Sequence, residues 1–408
     1  AGAGSITLGS NTLTSGGSDA STTFSGVISG TNGNIIKAGT GTLTLSGANT
    51  YTGTTTINAG DLTVSGSLHD STAVTIASGA DYNVNASDTV ASIEGAGNIV
   101  IASSQTLTAG DGNDKTLSGV ISGAGNYIKA GSGTQTLTGN NSYTGSTTIS
   151  AGLLKIIRDD PTSYLAATSG FTGPGNLTIE SSGDDFTADI VTGTHVQLAG
   201  TALGNLIIGK TGNTRQIDLS SDITTTGTQT YNGPVRLVGG DRTVSTTNSN
   251  VIFASTVNSD GTQRALTVTN GTGDTTFSGA IGGSAPVKSL TITSDQLTAG
   301  AITLNGALTA TLGGSSSITG VIANGASAAN LVKAGSGTLT LSASNTYTGT
   351  TQVSAGTLTV SGSGRLSDST AVTVDSGAVY NVAVSDTVAS IAGAGSITLG
   401  SNTLTSGG

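Results

Sequence analysis

The sequence predicts an all-β chain wound as a parallel β-solenoid, a right-handed β-helix with about 20 residues per coil. Three observations predict it. The chain repeats itself at two scales, its apolar residues alternate in short runs, and its repeats contain no hairpin turn code.

Repetition comes first. Residues 1–17 read AGAGSITLGSNTLTSGG, and residues 392–408 read the same at 17 of 17 positions, an offset of 391. A tandem array with a 391-residue unit is the simplest source of such identity. The residues following Gly408 in a longer parent are then expected to resemble SDASTTFSGVISG, the string after Gly17. Inside the unit, Lys37 to Ser65 and Lys333 to Ser361 are identical at 22 of 29 positions, and a third copy starts at Lys129. A Gly-Val-Ile element precedes each copy, at Gly26, Gly119 and Gly320. Leu68 to Gly97 also matches Leu366 to Gly395.

Alternation assigns the strands. Thr42-Leu43-Thr44-Leu45, Leu62-Thr63-Val64, Ala73-Val74-Thr75-Ile76 and Tyr82-Asn83-Val84 place aliphatic residues on one face and polar residues on the other, the period of a β-strand. Gly, Asn and Ser split the runs. Strands this short are not stable in isolated pairs and need many neighbours.

A β-sandwich joined by hairpins is the competing architecture. Asn-Gly or Asp-Gly pairs begin at Asn32, Asp111, Asn232, Asp260, Asn270, Asn305 and Asn324, but none lies inside a repeat copy, so hairpins are not what the repeat encodes. The intervals Leu43 to Leu62, Leu62 to Val84 and Val84 to Leu107 are 19, 22 and 23 residues. These suit coils of three short strands with tight corners, and outward Thr, Ser and Asn suit ladders along the axis.

The expected organisation is one continuous rod. Residues 1–17 close a preceding unit, and 18–161 form a solenoid with repeats at about 26–66 and 119–154. Residues 162–319 form a more divergent solenoid, and 320–408 carry the third repeat and end as the next unit would begin. Ala1-Gly2-Ala3-Gly4 has neither the basic start nor the apolar core of a signal peptide. With no initiator Met, the chain is expected to be a segment of something longer.

The strings K-[AG]-G-x-G-x-x-x-L and N-x-Y-T-G-x-T-x-[IV]-x-x-G-x-L occur three times, the copy at Lys129 carrying Gln135 in place of Leu. They resemble the autotransporter-associated β-strand repeat of type V secreted passengers in Gram-negative bacteria. The repeats cover about a third of the chain. Stretches from Gly227 to Val235, Thr275 to Gly283 and Lys288 to Thr291 are similar to filamentous-haemagglutinin-type giant adhesins. The resemblance implies an exported, cell-surface β-helix that serves as a stalk or adhesin, with neighbouring units of the same chain stacked end to end. It also raises lateral filament association and a glycan or cell-surface receptor elsewhere in the parent. A direct glycan- or host-binding module is the second reading, and a polysaccharide-degrading β-helix enzyme the third.

Composition removes other classes. Charged residues are 9%, far below the usual quarter or so, and the net charge is −10 with no basic stripe for nucleic acid. Gly has no three-residue period, and no apolar run approaches the roughly 18 residues of a membrane helix. Without Cys there are no disulfides, thiolate ligands or Cys nucleophiles.

No catalytic, cofactor or metal residues are assigned. His69 and His195 stand outside any metal-binding pattern, and His69 is replaced by Ser367 in the matching stretch. Asp159-Asp160 before Pro161, and Asp184-Asp185 with Asp189, read as solvated loops rather than the paired carboxyls of a glycosidase. Asp111-Gly112-Asn113-Asp114 lacks the calcium-roll and EF-hand patterns and reads as a turn. Tyr51, Tyr143 and Tyr347 recur in one frame, which points to packing. Thr42/Thr44 and Thr338/Thr340 resemble the threonine ranks of ice-binding solenoids, but irregular intervals are expected to keep such ranks from repeating coil upon coil.

Overall fold

The computed structural model describes residues 4–160, 170–198 and 203–407. Among them there is no helix, and the strands pair in parallel. By compactness the chain divides into two units, Ala1–Ala188 with Thr194–Gly204, and Asp189–Gly193 with Asn205–Gly408. Each is the expected parallel β-solenoid. The expected boundary at 161/162 lies outside the described residues.

In the first unit one face stacks Thr22–Phe24, Thr42–Leu45, Gly60–Val64, Ala80–Val84, Asn98–Ile101 and Ile121–Gly123. A second face stacks Asp88–Val90, Thr106–Ala109, Asn126–Lys129, Thr147–Ile149 and Phe171–Thr172. The third runs from Thr12–Ser15 through Asn34–Lys37 and Thr134–Leu137 to Asn176–Glu180. In the second unit a nine-stranded sheet runs from Ile223–Thr225 to Ser390–Gly393.

Register turns alternation into a core. Leu43, Leu62, Tyr82, Ile99 and Ile121 are successive partners across five coils, and all are buried. Each such aliphatic side chain stabilises the stack by about 1.5–3 kcal/mol relative to exposure, though only while the coils above and below remain in place.

Two sequence intervals change meaning. Leu43 does pair with Leu62, but Leu62 pairs with Tyr82, and Val84 pairs with Ile101 rather than standing below Leu107. The 22-residue interval therefore joined two inward positions of one face that are not register partners, and the 23-residue interval joined different faces, because alternation identifies an inward residue without giving its register or face. The Asn-Gly pairs make corners; Asn32, at φ 59°, is one.

The Gly-Val-Ile element has a steric cause. A Cβ on Gly119 would lie 1.8 Å from the Gly97 carbonyl oxygen, and one on Gly139 would lie 2.0 Å from that of Gly119. Three coils thus turn this corner with backbone against backbone, and only glycine permits that approach.

Candidate functional site

The three repeat copies form the same two-coil staple. In each, the strand carrying the Lys pairs with the Thr-x-[Ile/Val] strand 20 residues on: Lys37 with Ile57, Lys129 with Ile149, Lys333 with Val353. The next strand pairs 19 residues on: Leu43 with Leu62, Gln135 with Leu154, Leu339 with Leu358. Gln135 is buried in the place of Leu, its amide reaching the carbonyl of Lys115 at 3.5 Å. The copies are not on equivalent faces: Asn34–Lys37 of the first copy shares a sheet with Thr134–Leu137, the second strand of the second copy.

The lysines point inward. Lys37, Lys129 and Lys333 are at most 1% exposed, unusual for a residue type that is seldom buried. Lys333 Nζ donates to the carbonyls of Ala334, Gly335 and Ala355 at 2.8, 2.9 and 3.1 Å. Lys37 donates to Ala38, Gly39 and Ala59, and Lys129 to Ala130, Gly131 and Ala151. One ammonium thus closes its own corner and the corner of the next coil. Those corners contain the motif glycines in left-handed backbone, such as Gly335 at φ 73° and Gly356 at φ 65°. Burial lowers all three lysine pKa values, Lys333 to about 8.

Asn and Tyr complete the staple. Asn49, Asn141 and Asn345 Oδ1 accept the backbone N–H of Ile28, Ile121 and Ile322 at 3.0, 2.7 and 2.9 Å, which ties the Gly-Val-Ile elements to the repeat. The Tyr51, Tyr143 and Tyr347 hydroxyls lie 2.6, 2.5 and 2.5 Å from Thr55, Thr147 and Thr351 Oγ1. These rings are buried in the core, and burial raises their pKa well above the usual tyrosine value. Sequence reasoning expected packing from the tyrosines but missed the lysines, whose signal was their fixed place before Ala-Gly.

Two buried carboxyls flank the staples. Asp88 accepts from Tyr82 OH at 2.7 Å and from the Leu68 and Thr89 amides at 3.0 and 3.1 Å. Asp386 repeats this with Tyr380, Leu366 and Thr387 at 2.5, 3.1 and 2.9 Å. The three donors favour the ionised Asp88, but burial outweighs them and raises its pKa to about 6. A raised carboxyl pKa adds stability below about pH 4 that is lost as pH rises through about 6, roughly 3 kcal/mol for a shift of this size. The unfolding midpoint of the first unit is expected to fall over that window relative to an Asp88→Asn chain. Denaturation of both chains at pH 4 and pH 7 checks it, and parallel pH profiles would contradict it.

The other singled-out groups are engaged locally. His69 Nδ1 lies 2.8 Å from Ser71 Oγ, and His195 occupies a turn. Asp159 accepts the Ser182 amide and hydroxyl at 2.7 and 2.8 Å; Asp184 is exposed, and Asp189 accepts the Gln216 amide at 3.3 Å. Asp111 folds onto Asn113, and Asp114 accepts the Thr134 amide of the next coil at 2.7 Å. No group of three His, Asp or Glu that could hold a metal occurs among the described residues.

The threonine ranks correct the sequence expectation. Thr243, Thr267, Thr291 and Thr309 are successive register partners, as are Ser245, Thr269, Thr293 and Thr311. Two outward columns therefore cross four consecutive coils, although the intervals are 24, 24 and 18 residues. Corner loops absorb the unequal lengths, so irregular spacing does not break register. The hydroxyls of Thr267, Thr269, Thr291, Thr293, Thr309 and Thr311 make no hydrogen bond with any described residue.

These features define a coil-stacking repeat protein whose motif joins successive turns. Residues 35–64, 128–156 and 331–360 match the family model described as passenger-associated-transport-repeat. The three matches together cover less than a quarter of the chain and are consistent with an autotransporter passenger. Comparison with curated proteins and with solved structures gave no match.

Proposed function

We propose that this chain is a stalk segment of an exported, tandem-repeat bacterial surface protein, laid down in units of 391 residues that form one continuous rod. Supporting this reading, the motif's Lys, Asn and Gly residues serve coil-to-coil joining, and its Tyr packs within the coil. A module that only adds length needs just that, because each coil is stabilised by its neighbours. Small-angle scattering of the chain is the test. The reading expects a maximum dimension on the order of 100 Å, from stacked strands about 4.8 Å apart. A compact particle of half that dimension would sink it.

The alternative is a direct glycan-binding module, and the outward threonine columns favour it by presenting hydroxyls at the strand repeat. A glycan array separates the two. Reproducible binding that is lost on changing Thr267 and Thr291 to Val selects the module, whereas a blank array selects the stalk.

A further inference from the structure

The second repeat departs from the other two at one corner. Six residues beyond the motif glycines Gly60 and Gly356, the first and third copies carry Gly66 and Gly362; six beyond Gly152, the second carries Arg158. Asn140 likewise stands where the others carry Ala48 and Ser344. Arg158 continues the inward series of Leu154 and Ile156 and is only 6% exposed.

That corner does not close as its counterparts do. In the first copy Ala48 bridges to Ser67, and the Asn49 amide and side chain both donate to the Ser67 carbonyl at 2.9 Å. In the third, Ser344 bridges to Arg365, and the Asn345 amide and side chain donate to the Arg365 carbonyl at 3.1 and 2.6 Å. In the second, the Asn141 amide turns back onto the Gly139 carbonyl at 2.9 Å. The Asp159 carbonyl, in the place of Ser67, accepts instead from the Thr187 amide and hydroxyl at 2.7 and 3.0 Å. A cavity of about 460 Å³ opens there, lined by Thr138, Asn140, Asp159, Asp160 and Ser182 together with Arg158. Ligand pockets run from roughly 300 to 1,000 Å³.

Arg158 is the group the fold leaves under-used. Of its five N–H donors, only Nη1 reaches a described residue, the Gly139 carbonyl at 3.4 Å. Burial holds its pKa below the usual arginine value, and the charge of Asp160 opposes that. A guanidinium taken from water costs free energy until hydrogen bonds replace the water. Asp159 stays ionised, its pKa lowered by the Ser182 amide and hydroxyl, and each carboxylate oxygen keeps a lone pair for another donor.

We propose that this cavity binds a neutral saccharide. A sugar hydroxyl both accepts and donates, so one ring can take the N–H groups of Arg158 and give its own protons to the Asp159 carboxylate. An anionic ligand would meet Asp159 and Asp160, and a cationic one Arg158. Neither Arg158 nor Asn140 belongs to the staple that joins coils, so a stalk can carry the site, and failure of this proposal leaves the stalk reading standing.

The test places the full chain on an array of neutral, sialylated and sulfated oligosaccharides. Binding to a neutral sugar is expected, retained when Thr267 and Thr291 are changed to Val. Arg158→Gly, which restores the residue of the other two copies, is expected to weaken it about tenfold or more. Arg158→Lys is expected to do the same, since a point charge does not present the planar fork. Asn140→Ala, at the exposed rim where the first copy has alanine, is expected to weaken binding with thermal unfolding unchanged. A blank array would overturn the proposal, and so would binding that survives all three changes. A preference for sialylated or sulfated sugars would overturn it too, by making the cavity an anion site.

Discussion

Replacing Phe253 with alanine is expected to destabilise the second unit by about 3–5 kcal/mol. The ring is fully buried between Tyr231 and Phe277, with centroids 5.1 and 4.8 Å away and interplanar angles of 11° and 2°. The three residues are register partners on consecutive coils, so the stacking distance is imposed by the spacing of parallel strands. Alanine removes the middle ring and strips both neighbours of a stacking face at once. Since each coil leans on the adjacent ones, the loss concentrates in Gln229–Tyr231, Val251–Phe253 and Thr275–Phe277. Amide hydrogen exchange should show these strands opening first. Uniform protection, or a loss below about 1 kcal/mol, would contradict the argument.

Lys333→Met is expected to cost about 2–4 kcal/mol, from three corner carbonyls that lose one shared donor. Methionine keeps the apolar stem, so the change isolates the ammonium. The Ala334-Gly335 and Ala355-Gly356 corners should both loosen, although they lie about a coil apart in sequence, because the same nitrogen holds them. The pH response has a defined sign. A lysine lowered to about 8 in the fold charges less readily there than in the unfolded chain. Native stability should therefore rise between about pH 8 and pH 10.5, and the methionine variant should lack that rise. Proteolysis at the two corners together with alkaline denaturation checks both parts, and unchanged cleavage would count against the staple.

Legibility followed how local each signal is. The strand Thr42–Leu45 declares itself, since four residues suffice to show alternation and the burial follows the same pattern. The parallel architecture was readable from what the repeats lack, a hairpin code. Lys37 was not legible as a core residue, because a cation is normally solvated and only three converging carbonyls make its burial tolerable. Asp88 was equally hidden: its partners Leu68 and Tyr82 are separated from it by corners whose shape alternation does not specify.

The residues by themselves determined an all-β chain of short strands, its internal repetition and the inward-facing set, all of which depend on near neighbours along the backbone. Tertiary structure alone decided which inward residues share a column, how coils of 24 and 18 residues keep one threonine rank, and which polar groups sit inside. The physical reason is that register between coils is settled by corner geometry and by hydrogen bonds between residues about 20 apart, and no short window of sequence contains both partners.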